Sequence, residues 1–102
     1  MDELRPHSPR QTGAETPFAT VIIVNFNSGD RLSRCLDCLR RQTVREFETL
    51  VIDNNSTDDS LQSANIGERP VRLIRSSENI GFAAANNRGA RDARGKWIAL
   101  LN

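Results

Sequence analysis

The sequence predicts an α/β fold, with a mostly parallel sheet of about four strands and three flanking helices. Three observations carry the prediction. Short runs rich in β-branched and apolar residues recur along the chain: TVIIVN at 20–25, FETLVID at 47–53, VRLIR at 71–75 and WIALL at 97–101. Segments with helical spacing of apolar residues alternate with them. Connections are short, so each strand–helix–strand unit closes as a crossover between parallel neighbours.

The elements follow in order. Residues 1–18 are polar, contain Pro6, Pro9 and Pro17, and show no apolar period, so they are expected to be a disordered leader. Order is expected from Ala19, making 19–102 the folded unit. The continuous run at 20–25 is the mark of a strand buried on both faces. Residues 30–42 place Leu32, Cys35, Leu36 and Leu39 at helical spacing, with arginines opposite, as in an amphipathic helix. The run at 47–53 is a second strand. Ser56, Thr57, Asp58 and Asp59 suit an N-cap and an acidic first turn, so a shorter helix is expected over 56–65, with Leu61 and Ala64 inward. After the third strand at 71–75, residues 81–93 form a third helix weakened by Gly89, and 97–101 is the fourth strand.

Composition bounds the function. A chain of 102 residues, 37% hydrophobic and 26% charged, has the make-up of one globular domain or part of one. A net charge of +1 provides no electrostatic footprint for nucleic acid. No apolar run approaches the roughly 18 residues needed to span a bilayer. The N-terminus lacks the apolar core of a secretory signal, so a cytoplasmic location is expected. Cys35 and Cys38 form a CxxC pair in the middle of a helical segment rather than at a helix start. Without the helix N-terminus that lowers a thiol pKa, and without two further zinc ligands, they read as buried or half-buried structural thiols.

An open parallel sheet binds its ligand beyond the carboxyl ends of its strands. The polar clusters lie there: VNFNSGD after the first strand, DNNSTDDS at the second, SSENIGF after the third and Asn102 after the fourth. Neither GxGxxG nor GxxxxGK[ST] is present, which argues against dinucleotide enzymes and P-loop NTPases. The edge offers instead a carboxylate, Asp53, with amides around it. An ionised carboxylate only accepts hydrogen bonds, so it suits the imide N–H of uracil or thymine better than a phosphate. The same Asp53-Asn54-Asn55 run is also what an ordinary strand-to-helix turn uses. A phosphoacceptor domain would want an acidic pair after the first strand, where this chain has Asn25 and Asn27.

Taken together, VIIVNFNSGDRLSRCLDCLRRQT, FETLVIDNNSTDDS and SSENIGFAAANNRGARDARGKWIALLN resemble family 2 glycosyltransferases, and most closely rhamnosyltransferase-like members, over 19–102. The resemblance implies the nucleotide-binding half of a Rossmann-like GT-A fold. It places the nucleotide base against Val24, Phe26 and Asn27, with the ring of Phe26 against the base or anchoring the loop in the core. It gives Asp53 the base imide, and brings Asn79, Gly81 and Phe82 to the nucleotide. Gly81 serves either close backbone approach or helix entry. Asn86 and Asn87 face the site or hold the third helix to the sheet, the latter role being expected of Asn87.

The family's reaction is an inverting transfer from a nucleotide-diphosphate sugar to a glycan or lipid-linked acceptor. A divalent metal, Mg2+ or Mn2+, neutralises the leaving group, and an aspartate serves as general base. With Asp53 on a pyrimidine imide, the donor is expected to be UDP- or dTDP-linked. The metal motif would follow Asn102 directly, so no catalytic and no metal-binding residue is assigned; Asp58, Asp59 and Asp92 read as helix-surface charges. The chain is expected to be a truncated front end, lying in the cytoplasm or peripherally at the inner face of the membrane. Marginal stability, or self-association through an exposed sheet edge and face, goes with that expectation. A non-catalytic nucleotide-binding or partner-binding module is the competing reading.

Overall fold

A computed structural model describes residues 3–6, 16–42 and 46–101. Among the described residues five strands form one sheet: β1 (Glu3–Pro6), β2 (Ala19–Asn25), β3 (Phe47–Asp53), β4 (Arg72–Arg75) and β5 (Trp97–Leu101). Their spatial order is β1-β5-β2-β3-β4. Strands β5, β2, β3 and β4 are mutually parallel, whereas β1 runs antiparallel along β5. The register sets Asn25 of β2 beside Asp53 of β3, and Asp53 beside Arg75 of β4. Those residues mark the carboxyl edge.

Helix α1 (Arg31–Arg40) and the one-turn α2 (Ser60–Ser63) cover one face, and α3 (Phe82–Asp92) covers the other. Alternation along the strands builds two cores. Val21, Ile23, Val51 and Ala99 meet Leu32 and Leu36 of α1 and Leu61 of α2. On the opposite face Ile22, Leu50, Ile52 and Ile98 meet Ala85, with Ala90 at the margin. Helix α3 carries small residues inward because it lies close to the sheet. A Cβ added at Gly89 would stand 2.9 Å from Ile22 Cγ2, so the helix-weakening glycine permits this close approach.

Three expectations are corrected. The leader is not without structure throughout, since Glu3–Pro6 pairs with β5. Its charges and proline hide it from a pattern search, but a proline can sit in an edge strand, and β5 supplies the partner. Residues 7–15 lie outside the described residues. The second helix begins at Ser60, not Ser56, and its N-cap Asp59 makes no side-chain capping bond. The would-be capping residues are engaged elsewhere, as described below. Residues 66–68 continue as a 3-10 turn after Asn65, which has φ of +50°. Finally, Cys35 is half-buried but Cys38 is exposed on the outer side of α1.

A second set of bonds ties the opposite end of the sheet. Glu48 accepts from Thr20 Oγ1 (2.6 Å), the Arg94 N–H (2.7 Å) and Arg72 Nη1 (3.0 Å). Arg72 also donates to the Asp92 carbonyl at the end of α3. Thr20 Oγ1 accepts from the Gly95 N–H at 2.9 Å. Burial alone would raise the Glu48 carboxyl, but the bonds from Thr20, Arg94 and Arg72 hold it below its ordinary value. No helix among the described residues is long and apolar enough to cross a membrane.

Candidate functional site

Three loops meet at the carboxyl edge, joining β2 to α1, β3 to α2 and β4 to α3. Side chains stitch them together. Asn25 Nδ2 donates to Asp53 Oδ1 (2.9 Å), Ser60 Oγ (3.0 Å) and Ser56 Oγ (3.2 Å). Its Oδ1 accepts from Ser28 Oγ. Asp53 also accepts from Ser56 Oγ (2.7 Å) and the Ser56 N–H (3.0 Å). Asn25, Asp53 and Ser60 are buried, as such a network requires if its polar groups are to be satisfied away from water.

The outer layer repeats the device. Asn27 Oδ1 accepts from the N–H groups of Thr57 (2.8 Å) and Asp58 (3.2 Å), while its own N–H donates to Ser56 Oγ at 3.0 Å. Asp58 accepts from Ser60 Oγ and N–H and from the Gly29 N–H. The Ser60 bond, with that from Gly29, holds the Asp58 carboxyl below its ordinary value. Asp58 is thus a loop clasp rather than a helix-surface charge. Asn54 links the third loop, donating Nδ2 to the Gly81 carbonyl at 3.1 Å. Asn79 Oδ1 accepts the Gly81 N–H at 2.8 Å. Gly81 itself has φ of +87°, and an added Cβ would meet nothing within 4 Å. Its need for glycine comes from the backbone angle at the helix entry.

The residues singled out from the sequence gather at this edge in two classes. Phe26 (48% exposed), Asn27, Asn79, Gly81 and Phe82 (52% exposed) are open to solvent. Val24 is half-buried and packs beside the α3-facing core. Asp53 has no exposed surface. Its carboxylate accepts from Asn25 and Ser56 and holds the two loops in register, the turn role that the same residues allow. Phe26, exposed, is not a core anchor. On α3, Asn86 is the buried amide and its Oδ1 meets no donor, whereas Asn87 is exposed and holds nothing to the sheet. The sequence marks Asn25 only as a non-acidic strand end and Ser56 only as a helix cap, and leaves Ser28 and Ser60 unmarked; the signal for all four is small polar residues on both loops at paired strand ends.

Other chemistries find little support. Burial pushes the Cys35 thiol up, with Cys38 adding to the shift, the reverse of an activated thiolate. No group of three or more His, Cys, Asp or Glu side chains that could hold a metal occurs among the described residues. These residues therefore do not by themselves fit the divalent ion implied by the resemblance. A cavity of about 510 Å³ lies near the amino end of the sheet between Leu36, Leu39, Phe47 and Val71, away from the stitched loops.

The sequence model of glycosyl transferase family 2 matches residues 20–102. The chain belongs to this family. Among its relatives, a PGL/p-HBAD biosynthesis glycosyltransferase of Mycobacterium tuberculosis is 38% identical over 90 residues, covering 83% of this chain and 34% of the relative. A chondroitin synthase of Pasteurella multocida is 32% identical over 88 residues, covering 84% of this chain and 9% of the synthase. In structure, the chain is similar to a mannosyltransferase from Pyrobaculum calidifontis in complex with GDP-Man and Mn2+. The TM-score is 0.68 at 25% identity, with 90% of this chain and 28% of that one covered. The family 2 chain thus spans about a third or less of the length of these relatives. Its Rossmann-like sheet is that of a GT-A fold.

Proposed function

We propose that the chain forms the nucleotide-sugar-binding part of an inverting glycosyltransferase, with the nucleotide held at the carboxyl edge. The observation that carries this reading is the pair of exposed phenylalanines, Phe26 and Phe82, on loops locked from beneath by a buried network. Leaving two aromatic rings in water is unfavourable, and a flat base laid against one of them removes apolar area from solvent. Rigid loops place the rings and the amides of Asn27 and Asn79 before the ligand arrives, which lowers the ordering cost of binding.

Each element has a part. Phe26 supplies the surface for the base, while Val24 and Asn27 line its pocket. Asn79 and Gly81 bring the first turn of α3 toward the diphosphate, where helix N–H groups favour an anion. Asp53 acts beneath them as a positioning residue. A pyrimidine imide paired with Asp53 favours a UDP- or dTDP-linked donor, whereas the exposed groups alone accept any base. The P. calidifontis neighbour carries GDP-Man, so UDP, dTDP and GDP are the three arms of the test. The chondroitin synthase among the relatives supports a glycan acceptor, and the neighbour's Mn2+ supports a divalent metal, in the whole protein; a lipid-linked acceptor is the other class the reading allows. A cytoplasmic location accompanies the reading.

Calorimetric titration of the chain with each nucleoside diphosphate tests it. Binding that is lost in Phe26→Ala, with the thermal transition unchanged, is the expected result. Failure of all three to bind at millimolar concentration rejects it.

A further inference from the structure

The two crossovers on one face of the sheet are unequal in length. Between β2 and β3 the chain builds α1, ten residues long. Between β3 and β4 it builds only the four-residue α2 and a 3-10 turn. This short cover leaves the cavity of about 510 Å³, between the later turns of α1 and the amino ends of β3 and β4. Leu36, Leu39, Phe47 and Val71 give it apolar walls. Its volume falls within the roughly 300–1,000 Å³ of small-molecule sites.

One polar side chain is set into the floor. Thr49 lies between Phe47 and Val51 on the helix-facing side of β3, lines the cavity and is 8% exposed. Its hydroxyl has no hydrogen-bond partner among the described residues. A polar group this deeply buried is ordinarily paired. Water serves it poorly, because a held water needs about two to four polar partners and the floor offers one hydroxyl. The remaining polar groups are spent or stand at the mouth. Arg69 donates to the Ala64 carbonyl (2.6 Å) and to Asp37 (2.9 Å). Arg40, Asn65 and Glu68 are exposed, and the two charges among them are opposite in sign. An ionised group carried to the floor would lose its water and gain a single hydroxyl in return.

We propose that this cavity is a second ligand site, which takes a small uncharged aromatic alcohol. The ring lies among Leu36, Leu39 and Phe47, where aromatic contact adds to apolar burial, and the ligand hydroxyl bonds to Thr49 Oγ1. Thr49 and Asp53 stand toward opposite ends of β3, so the site is separate from the nucleotide edge and does not depend on it.

Phenol is the probe, with benzene and benzoate as comparators, titrated into the chain while amide chemical shifts are followed. Saturable shifts at Phe47, Thr49 and Val71, with Phe26 and Phe82 unmoved, are expected. Phenol should bind more tightly than either comparator. Thr49→Val should weaken phenol roughly two- to tenfold, the worth of one neutral hydrogen bond, and leave benzene unchanged. Thr49→Ser, which retains the hydroxyl, should retain the preference for phenol. The absence of saturable shifts at millimolar phenol overturns the proposal and leaves water as the occupant. Equal affinities for phenol and benzene, tighter binding of benzoate, or an equal loss of both neutral probes in Thr49→Val also overturn it. Should Thr49→Val unfold, the ratio of phenol to benzene affinity in the parent and in Thr49→Ser decides.

Discussion

Asn25 Nδ2 lies 2.9 Å from Asp53 Oδ1, across the last paired position of β2 and β3. This bond fixes two loops at once, because the same amide reaches Ser60 and the same carboxylate receives Ser56. Removing the carboxylate strands buried donors on both sides. Asp53→Ala is therefore expected to lower stability by about 2–4 kcal/mol, and Asp53→Asn by less, since an amide oxygen still accepts. Urea denaturation measures both. An Asp53→Ala chain as stable as the parent contradicts the positioning role.

Gly95 provides a steric test at the other end of the sheet. A Cβ there would lie 2.4 Å from the Ala19 carbonyl carbon and 2.5 Å from the Thr20 nitrogen. Backbone atoms cannot yield as a side chain can. Gly95→Ala is expected to cost ~3 kcal/mol or more, at the upper end of overpacking penalties. The melting temperature, compared with that of Gly81→Ala, reads the effect. At Gly81 the space is open, and the cost comes from φ alone, about 1–3 kcal/mol.

Acid should act through Glu48. Its folded-state pKa is depressed relative to the ordinary value of 4.5, so its contribution is fully present above that value. It is lost as pH falls through the lower, folded-state pKa. Stability from this group should thus be flat from neutrality down to the ordinary value and fall below it. Glu48→Gln should be less stable at neutral pH by about 1.5–3 kcal/mol and show a shallower acid decline. Denaturant midpoints across the acid range would reveal an unchanged slope if Glu48 is not the group.

Much of the architecture was legible because strands buried on both faces leave a strong trace. TVIIVN and WIALL can hardly be anything else at these lengths, and the fourth strand matches its observed bounds. ELRP was not legible, because its pairing depends on β5 and not on any pattern of its own. The start of α2 was misplaced for a related reason. Ser56 and Asp58 have the chemistry of caps, but Asn25, Asn27 and Gly29, distant in sequence, claim their hydrogen bonds. The site was legible as an edge and not as a set of roles. Asp53 is visible in the sequence as a carboxylate, and only the register with Asn25 shows which groups of the two loops it binds.

Phe26 gives the cleanest separation of binding from folding. Phe26 is exposed, so Phe26→Ala should change stability by no more than about 0.5 kcal/mol, as for other exposed positions. Loss of a stacked base should weaken nucleotide binding by about 1–3 kcal/mol. Thermal melts and titrations on the same preparation read the two effects independently.

The central claim is that this edge holds a nucleoside diphosphate over Phe26, on loops that Asp53 positions from below. Calorimetry of the parent and Phe26→Ala chains with UDP, dTDP and GDP tests it most directly. The account predicts saturable binding of at least one nucleotide to the parent, and its loss in a Phe26→Ala chain that melts at the same temperature. Equal affinity in the two chains would contradict it.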